Sequence, residues 1–180
     1  IYCVEVTFDH TRADGVENTL KCIRRLNDEF GDRILVGAGT VLTVEEVDAT
    51  VAAGGEFIIS PNVDEAVIRR TKELDMVSMP GALTPTEVMQ AHWAGADFVK
   101  LFPLGNMGVA YAKAVMAPIS HVKLLAVGGV NENNVAEFLK AGMYGAGIGG
   151  NLANKKWIDA GEYHKITETA QKLVEAVKSV

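Results

Sequence analysis

Cysteine is scarce in this chain: Cys3 and Cys22 are the only two among 180 residues. Cys3 lies in an apolar strand-like run, Cys22 on a helical pattern, and neither belongs to a metal-type spacing. Two isolated thiols fit a reducing compartment and argue against a disulfide-built fold. The four histidines (His10, His92, His121, His164) form no pair at ligand spacing, so no protein-bound metal is expected. Positive charge is in deficit, with 17 Lys and Arg against 23 Asp and Glu and a formal net charge of -6. No basic cluster with interleaved aromatics offsets that deficit, which argues against a nucleic-acid or anionic-membrane partner. No apolar run approaches the ~20 residues of a membrane-spanning helix, and no secretory pattern opens the chain. These absences predict a soluble, cytoplasmic protein. What is present is 48% hydrophobic content over 180 residues, enough for one sizeable core, so one domain is expected over residues 1–180.

Strand-like and helix-like segments alternate throughout. The strand candidates are Tyr2–Phe8, Arg33–Gly37, Phe57–Ser60, Met76–Met79, Phe98–Phe102, Val122–Val127 and Gly145–Ile148. In the first helical pattern Val16, Leu20, Ile23, Leu26 and Phe30 recur at three- and four-residue steps, as one buried helical face requires. Thr43 with Glu46, Asn62 with Glu65, and Thr84 with Glu87 each set a capping side chain three residues before a carboxylate. Pro85 then takes the first helical position after Thr84. Helix ends carry a repeated phrase: Ala53-Gly54, Ala94-Gly95 and Ala141-Gly142. Strand, helix, strand, helix means a parallel sheet covered by helices. Seven such units can be counted, whereas a closed (β/α)₈ TIM barrel needs eight and usually exceeds ~200 residues. The expected fold is therefore an α/β (β/α)₈ barrel whose first βα unit precedes Ile1 and is absent from this sequence. The alternative is an open doubly wound sheet, but no Gly-x-Gly-x-x-Gly turn follows the early strands.

In such a barrel, functional groups project from the C-terminal strand ends and the loops after them. Lys100 stands in the apolar run Phe98-Val99-Lys100-Leu101-Phe102-Pro103, sharing one strand face with Phe98 and Phe102. A desolvated amine there is favoured in its neutral form and can attack a carbonyl to give an imine. A lysine near a strand end snorkelling into water fits the same hexapeptide. Glu5, among β-branched residues in Val4-Glu5-Val6-Thr7, is expected to be buried and suited to passing protons, or else to face solvent. Gly37-Ala38-Gly39-Thr40 ends the next strand, where small residues admit a ligand and the Thr40 hydroxyl and amide can hold a carboxylate. Ser60-Pro61 and Pro80-Gly81 read as turn-shaping. Gly128-Gly129 and Gly149-Gly150-Asn151 follow the last two strands, where glycine-freed amides beside a helix N-terminus suit a phosphate. Tight turns without a ligand use the same glycines.

Taken together, Glu5-Val6-Thr7-Phe8, Gly37-Ala38-Gly39-Thr40-Val41, Ile59-Ser60-Pro61, Pro80-Gly81, Gly95-Ala96-Asp97-Phe98-Val99-Lys100-Leu101-Phe102-Pro103 and Val127-Gly128-Gly129 form an ordered set. In order and spacing it resembles the class I 2-keto-3-deoxy-6-phosphogluconate aldolases, which also act on 4-hydroxy-2-oxoglutarate. The resemblance covers nearly the whole chain. It implies a homotrimeric (β/α)₈ barrel in which Lys100 forms an imine with pyruvate and Glu5 shuttles protons. Thr40 and Thr7 would contact the pyruvyl end, with Phe102 and Pro61 walling it from water. Gly128, Gly129, Gly149, Gly150 and Asn151 would hold a distal phosphate. The partners implied are a small keto acid and pyruvate, and no cofactor is required. The products would be pyruvate with glyceraldehyde 3-phosphate or glyoxylate. Three positions depart from the family pattern: Asp9 replaces an arginine that contacts substrate anions, Leu104 replaces Ser or Ala, and Asn151 replaces a common serine. Arg12 is the candidate substitute for that arginine. The rival readings are a phosphate-binding isomerase or synthase barrel of the tryptophan or thiamin routes, and a non-catalytic barrel that binds sugar-acid phosphates.

Overall fold

Val4 and Val6 alternate with Cys3, Glu5 and Thr7 along Cys3–Thr7, the first strand (β1). A computed structural model describes residues 1–180. They group into two compact units, one comprising Ile1–Ala82 with Thr86–Val99, the other Leu83–Pro85 with Lys100–Val180. The fold is α/β with parallel pairing, consistent with a partial (β/α)₈ barrel.

In the first unit β1 is followed by β2 (Leu35–Gly39), β3 (Phe57–Ile59) and β4 (Val77–Met79), which pair in parallel in that order. Helices α1 (Gly15–Phe30), α2 (Val44–Ala52) and α3 (Glu65–Glu73) connect them. The core is built on one face of this sheet, where Val36, Ala38 and Ile58 meet Ile23 of α1, Val47 of α2 and Val67 of α3. Alternation puts Glu5, Thr7, Gly37, Gly39 and Phe57 on the opposite face, in the register Glu5↔Gly37, Thr7↔Gly39 and Gly37↔Phe57.

Each strand candidate is found, with ends shifted by one or two residues. Three details depart from expectation. The buried seam of α1 is Gly15, Thr19 and Ile23, while Val16 and Phe30 are exposed. Gly15 presses against the Asp9 carbonyl, and the Thr19 hydroxyl donates to the Thr7 carbonyl at 3.1 Å, so the seam follows the chain leaving β1 and not the apolar pattern alone. Helix α3 is capped by Asp64, not Asn62: Asp64 Oδ1 accepts from the Ala66 and Val67 N–H groups at 2.9 and 3.1 Å. Asn62 stands too far ahead of the helix to reach those donors. Finally, Gly81 does not merely turn the chain. After Pro80, which cannot donate to a ladder, Gly81–Ala82 forms a two-residue strand, β5, under the carbonyls of Ser60 and Pro61. Thr43 caps α2 as expected, its hydroxyl accepting from the Glu46 N–H at 3.3 Å.

Helix α4 (Pro85–Ala94) leads to β6 (Val99–Leu101). The residue two before β6 is bolted to β4. Asp97 accepts from Lys72 Nζ at 2.9 and 2.7 Å and from the Ser78 N–H at 2.8 Å, and Lys72 also donates to the Met76 carbonyl at 2.9 Å.

The second unit carries the rest of β6, then α5 (Gly108–Met116), β7 (Leu124–Val127), α6 (Val135–Lys140), β8 (Gly145–Gly147), α7 (Lys155–Asp159) and α8 (Tyr163–Lys178). β6, β7 and β8 follow one another in one sheet, with Leu125↔Gly145 and Val127↔Gly147 in register. Its core includes Leu101, Leu104, Ala112, Leu124, Ala126 and Phe138. No helix is long and apolar enough to cross a membrane.

Asp97 joins two backbone segments through charge-assisted bonds that water replaces poorly. Asp97→Ala is expected to lower the unfolding free energy by about 1–3 kcal/mol, seen as a lower urea midpoint at unchanged slope. An unmoved midpoint would rule out this bracing role.

Candidate active site

Gly39 decides where the Glu5 side chain goes. A Cβ built on Gly39 would overlap the Glu5 carboxylate, and one on Gly37 would overlap the Phe57 ring. Both glycines lie inside β2, which runs two residues past the end expected at Gly37, and they form a shallow floor across which Glu5 lies. Thr7 Oγ1 donates to Glu5 Oε1 at 3.4 Å. Glu5 is exposed within β1 and not buried, so burial does not supply the proton-passing character expected of it. The carboxylate lies close over the glycine floor, which leaves no room for a Cβ on Gly39.

Thr40 follows directly and has φ 55, the left-handed region that a β-branched residue rarely enters. Its carbonyl accepts from His10 Nε2 at 2.9 Å. His10 Nδ1 faces Glu46 Oε1 at 3.4 Å, and the His10 ring stacks on Phe8 with centroids 6.1 Å apart. Pro61 stands half-buried after β3, its carbonyl against Gly81. In the loop after β1, Asp9 Oδ1 accepts from the Thr11 N–H at 3.0 Å and the Thr11 hydroxyl at 2.6 Å, which hold its carboxyl below the usual carboxylate range. Arg12 turns its Nε and one Nη to Asp14 at 3.0 and 3.1 Å. Its charge is thus already engaged, and the expected stand-in for the family arginine is committed to a neighbour.

In the second unit Lys100 is buried, at 9% exposure, with Nζ 4.6 Å from the Phe102 ring centroid. Burial favours the neutral amine, while the ring face attracts the cation. Phe102 lies on Gly128, where φ is 85 and a Cβ would meet the ring at 3.0 Å. The next residues complete the contact: Leu104 N–H donates to the Val127 carbonyl at 2.9 Å, Gly105 N–H to the Gly128 carbonyl, and Gly105 and Gly129 touch backbone to backbone. Leu104, a departure from the family pattern, is fully buried and anchors this loop. Asn134 Nδ2 donates to the Gly129 carbonyl at 3.1 Å, and Asn151 Nδ2 to the Val130 carbonyl at 3.1 Å. Asn151 thus ties the loop after β8 to the loop after β7. A Cβ on Gly149 or Gly150 would meet no atom within 4 Å. The helix expected beside these glycines begins only at Lys155 and has 5 residues, so a helix terminus does not flank them.

A family model described as KDPG and KHG aldolase matches residues 1–169. The chain belongs to that family. It is 40% identical over 153 residues to a 2-dehydro-3-deoxy-6-phosphogalactonate aldolase of Escherichia coli (strain K12), covering 84% of this chain and 71% of the relative. It is 43% identical over 121 residues to a probable enzyme of the same name from Rhizobium meliloti (strain 1021), covering 66% of this chain and 56% of that protein. Among solved structures, one titled native KDPGal matches with TM-score 0.86 at 34% identity, covering 99% of this chain and 82% of that one. A KDPG aldolase from Legionella pneumophila, with pyruvate captured as a covalent carbinolamine, matches with TM-score 0.83 at 27% identity, covering 97% and 81%. Aldolases are lyases, and the resemblance read from the motifs is met at the level of family and fold.

Two groups of this aldolase escaped the sequence reading, His10 as a partner of Thr40 and the Lys72–Asp97 brace. His10 adjoins Asp9, the flagged departure, and that adjacency was its one legible signal. Glu46, 36 positions further on, was read only as a cap.

Asp14 is held down at about 2 from the usual 3.8, chiefly by its bond to Arg12 and then to Asn18. Because its folded value is depressed, its stabilising contribution is complete above 3.8 and is lost as pH falls through about 2. Arg12→Ala is expected to return Asp14 toward 3.8 in a carboxyl NMR titration. A titration midpoint unchanged by the substitution would show that Arg12 is not the cause.

Proposed function

We propose that this chain is a class I aldolase that reversibly cleaves a 2-keto-3-deoxy-6-phospho sugar acid to pyruvate and glyceraldehyde 3-phosphate. The observation that carries the reading is Lys100, a buried amine against an aromatic face on a strand of a KDPG and KHG aldolase family member. The galactonate-derived acid is the first candidate, because the relatives at 40 and 43% identity bear that name. The unphosphorylated 4-hydroxy-2-oxoglutarate, with glyoxylate as its aldehyde product, is the second, because the family description includes it.

Lys100 Nζ attacks the C2 carbonyl carbon, and the carbinolamine loses water to give a protonated imine. Glu5 accepts the C4 hydroxyl proton as the C3–C4 bond breaks. The bonding pair passes to the imine as an enamine, and the aldehyde leaves. Protonation at C3 and addition of water return pyruvate and the free amine. The imine is the electron sink, so this route needs no further cofactor. Thr40 and Thr7 contact the pyruvyl carboxylate, Phe102 and Pro61 limit water, and the Gly128-Gly129 and Gly149-Gly150-Asn151 loops take the distal phosphate. Arg12 acts on an anion only if it leaves Asp14. Extending the resemblance, a homotrimer is the proposed assembly.

Borohydride added with pyruvate is expected to fix a pyruvyl adduct on Lys100, found by peptide mapping, and Lys100→Arg to abolish it. Absence of an adduct on Lys100 in the wild-type chain would sink the assignment. Glu5→Gln is expected to reduce turnover about 10²- to 10⁴-fold with little change in pyruvate binding, measured by single-turnover cleavage. Comparing phosphorylated epimers with 4-hydroxy-2-oxoglutarate by kcat/KM ranks the substrates.

A further inference from the structure

Thr40 is one of two non-glycine residues with positive φ, and the other, Asp75, lies just past the end of α3, where left-handed residues ordinarily stop helices. Thr40 ends no helix. A β-branched residue in that region is strained and persists only where its surroundings over-determine it. The surroundings can be followed residue by residue. Gly39 is held through its carbonyl by the Phe8 N–H at 2.9 Å, and Val41 donates its N–H to the Ile59 carbonyl at 3.2 Å. Between these backbone ties, the bond on the Thr40 carbonyl comes from a side chain, His10 Nε2 at 2.9 Å.

His10 is itself seated from two sides. Its ring lies on Phe8, a core residue at 3% exposure, with 22° between the rings. Its Nδ1 faces Glu46 Oε1 at 3.4 Å, and the Glu46 side chain is 12% exposed. Glu46 cannot drift, because its other oxygen accepts the Leu42 N–H at 2.7 Å and its own N–H donates to Thr43 at 3.3 Å. A carbonyl oxygen only accepts, so Nε2 carries a proton. A proton on Nδ1 would in turn face a carboxylate. Both ring nitrogens therefore meet acceptors, and the ring is oriented by three fixed contacts.

We propose that His10, seated between Phe8 and Glu46, is a positioning residue that locks Thr40 in its left-handed conformation and so aims the Thr40 hydroxyl and amide at the carboxylate of the keto acid. The role of Thr40 rests on the aldolase reading above; the coupling of His10 to it does not.

The test compares trapping of two ketones on Lys100 by borohydride, pyruvate and the carboxylate-free acetone, in the wild-type full chain and in His10→Ala and His10→Gln. In His10→Ala the pyruvate concentration for half-maximal trapping is expected to rise about 10- to 100-fold while acetone trapping stays within about twofold. His10→Gln, which keeps a donor near the Nε2 position, is expected to recover most of the loss. Pyruvate trapping unchanged in His10→Ala overturns the proposal. So does an equal loss for both ketones accompanied by a lower Tm, or a folded His10→Gln that recovers nothing. Wild-type protein that traps neither ketone overturns the aldolase reading itself and this inference with it. Wild-type trapping without a His10 effect overturns this inference alone.

Discussion

The carboxylate of Glu5 lies across the backbone of Gly39, and nothing larger than hydrogen fits beneath it. This steric constraint organises the first unit. The strand register sets Glu5 against Gly37 and Thr7 against Gly39, so the polar side chains of β1 and the bare backbone of β2 share one face. The other face takes Val36 and Ala38 into the core. A strand that must be apolar on one side and empty on the other has little choice but Val-Gly-Ala-Gly.

The second unit applies the same device to an aromatic ring. Phe102 rests on Gly128, and Gly105 meets Gly129 with no side chain between them. The ring that faces the Lys100 amine is thereby fixed from below by backbone, which cannot change rotamer. A carboxylate in one unit and an aromatic ring in the other are thus each seated on backbone that carries no side chain.

In the first unit, strained backbone stands beside packing that supports it. Thr40 is left-handed, yet Val41 beside it is fully buried and Val47, Ile58 and Val67 close the core behind it. The Asp97–Lys72–Ser78 bonds fix the entry to β6 two residues before Val99. Strain at Thr40 is thus over-determined by its neighbours and does not loosen the sheet.

How much was legible differs by the range of the interaction. Strand and helix existence, the Thr43 cap and the Ala-Gly helix ends follow from periodicity and local backbone preference, and all appear. Asp64 in place of Asn62 was a two-residue error in a local rule. Lys100 was legible because an amine inside Phe-Val-Lys-Leu-Phe is anomalous by itself, and the ordered motifs carried the family. The Arg12–Asp14 pairing lies within two positions but was not read from the sequence. The exposure of Glu5, the two-residue β5 and the His10–Glu46 pairing had no such local trace.

By itself, then, the sequence determined what depends on neighbours within a few positions: alternation, caps, turns and the identity of the odd residue in an apolar run. Tertiary structure alone decided which backbone lies under which side chain, whether a carboxylate is buried, and that a histidine bonded to the Thr40 carbonyl also faces a glutamate 36 positions away. The physical reason is that steric overlap and hydrogen bonding act over a few ångströms of space, and only the folded sheet turns distant positions into that proximity.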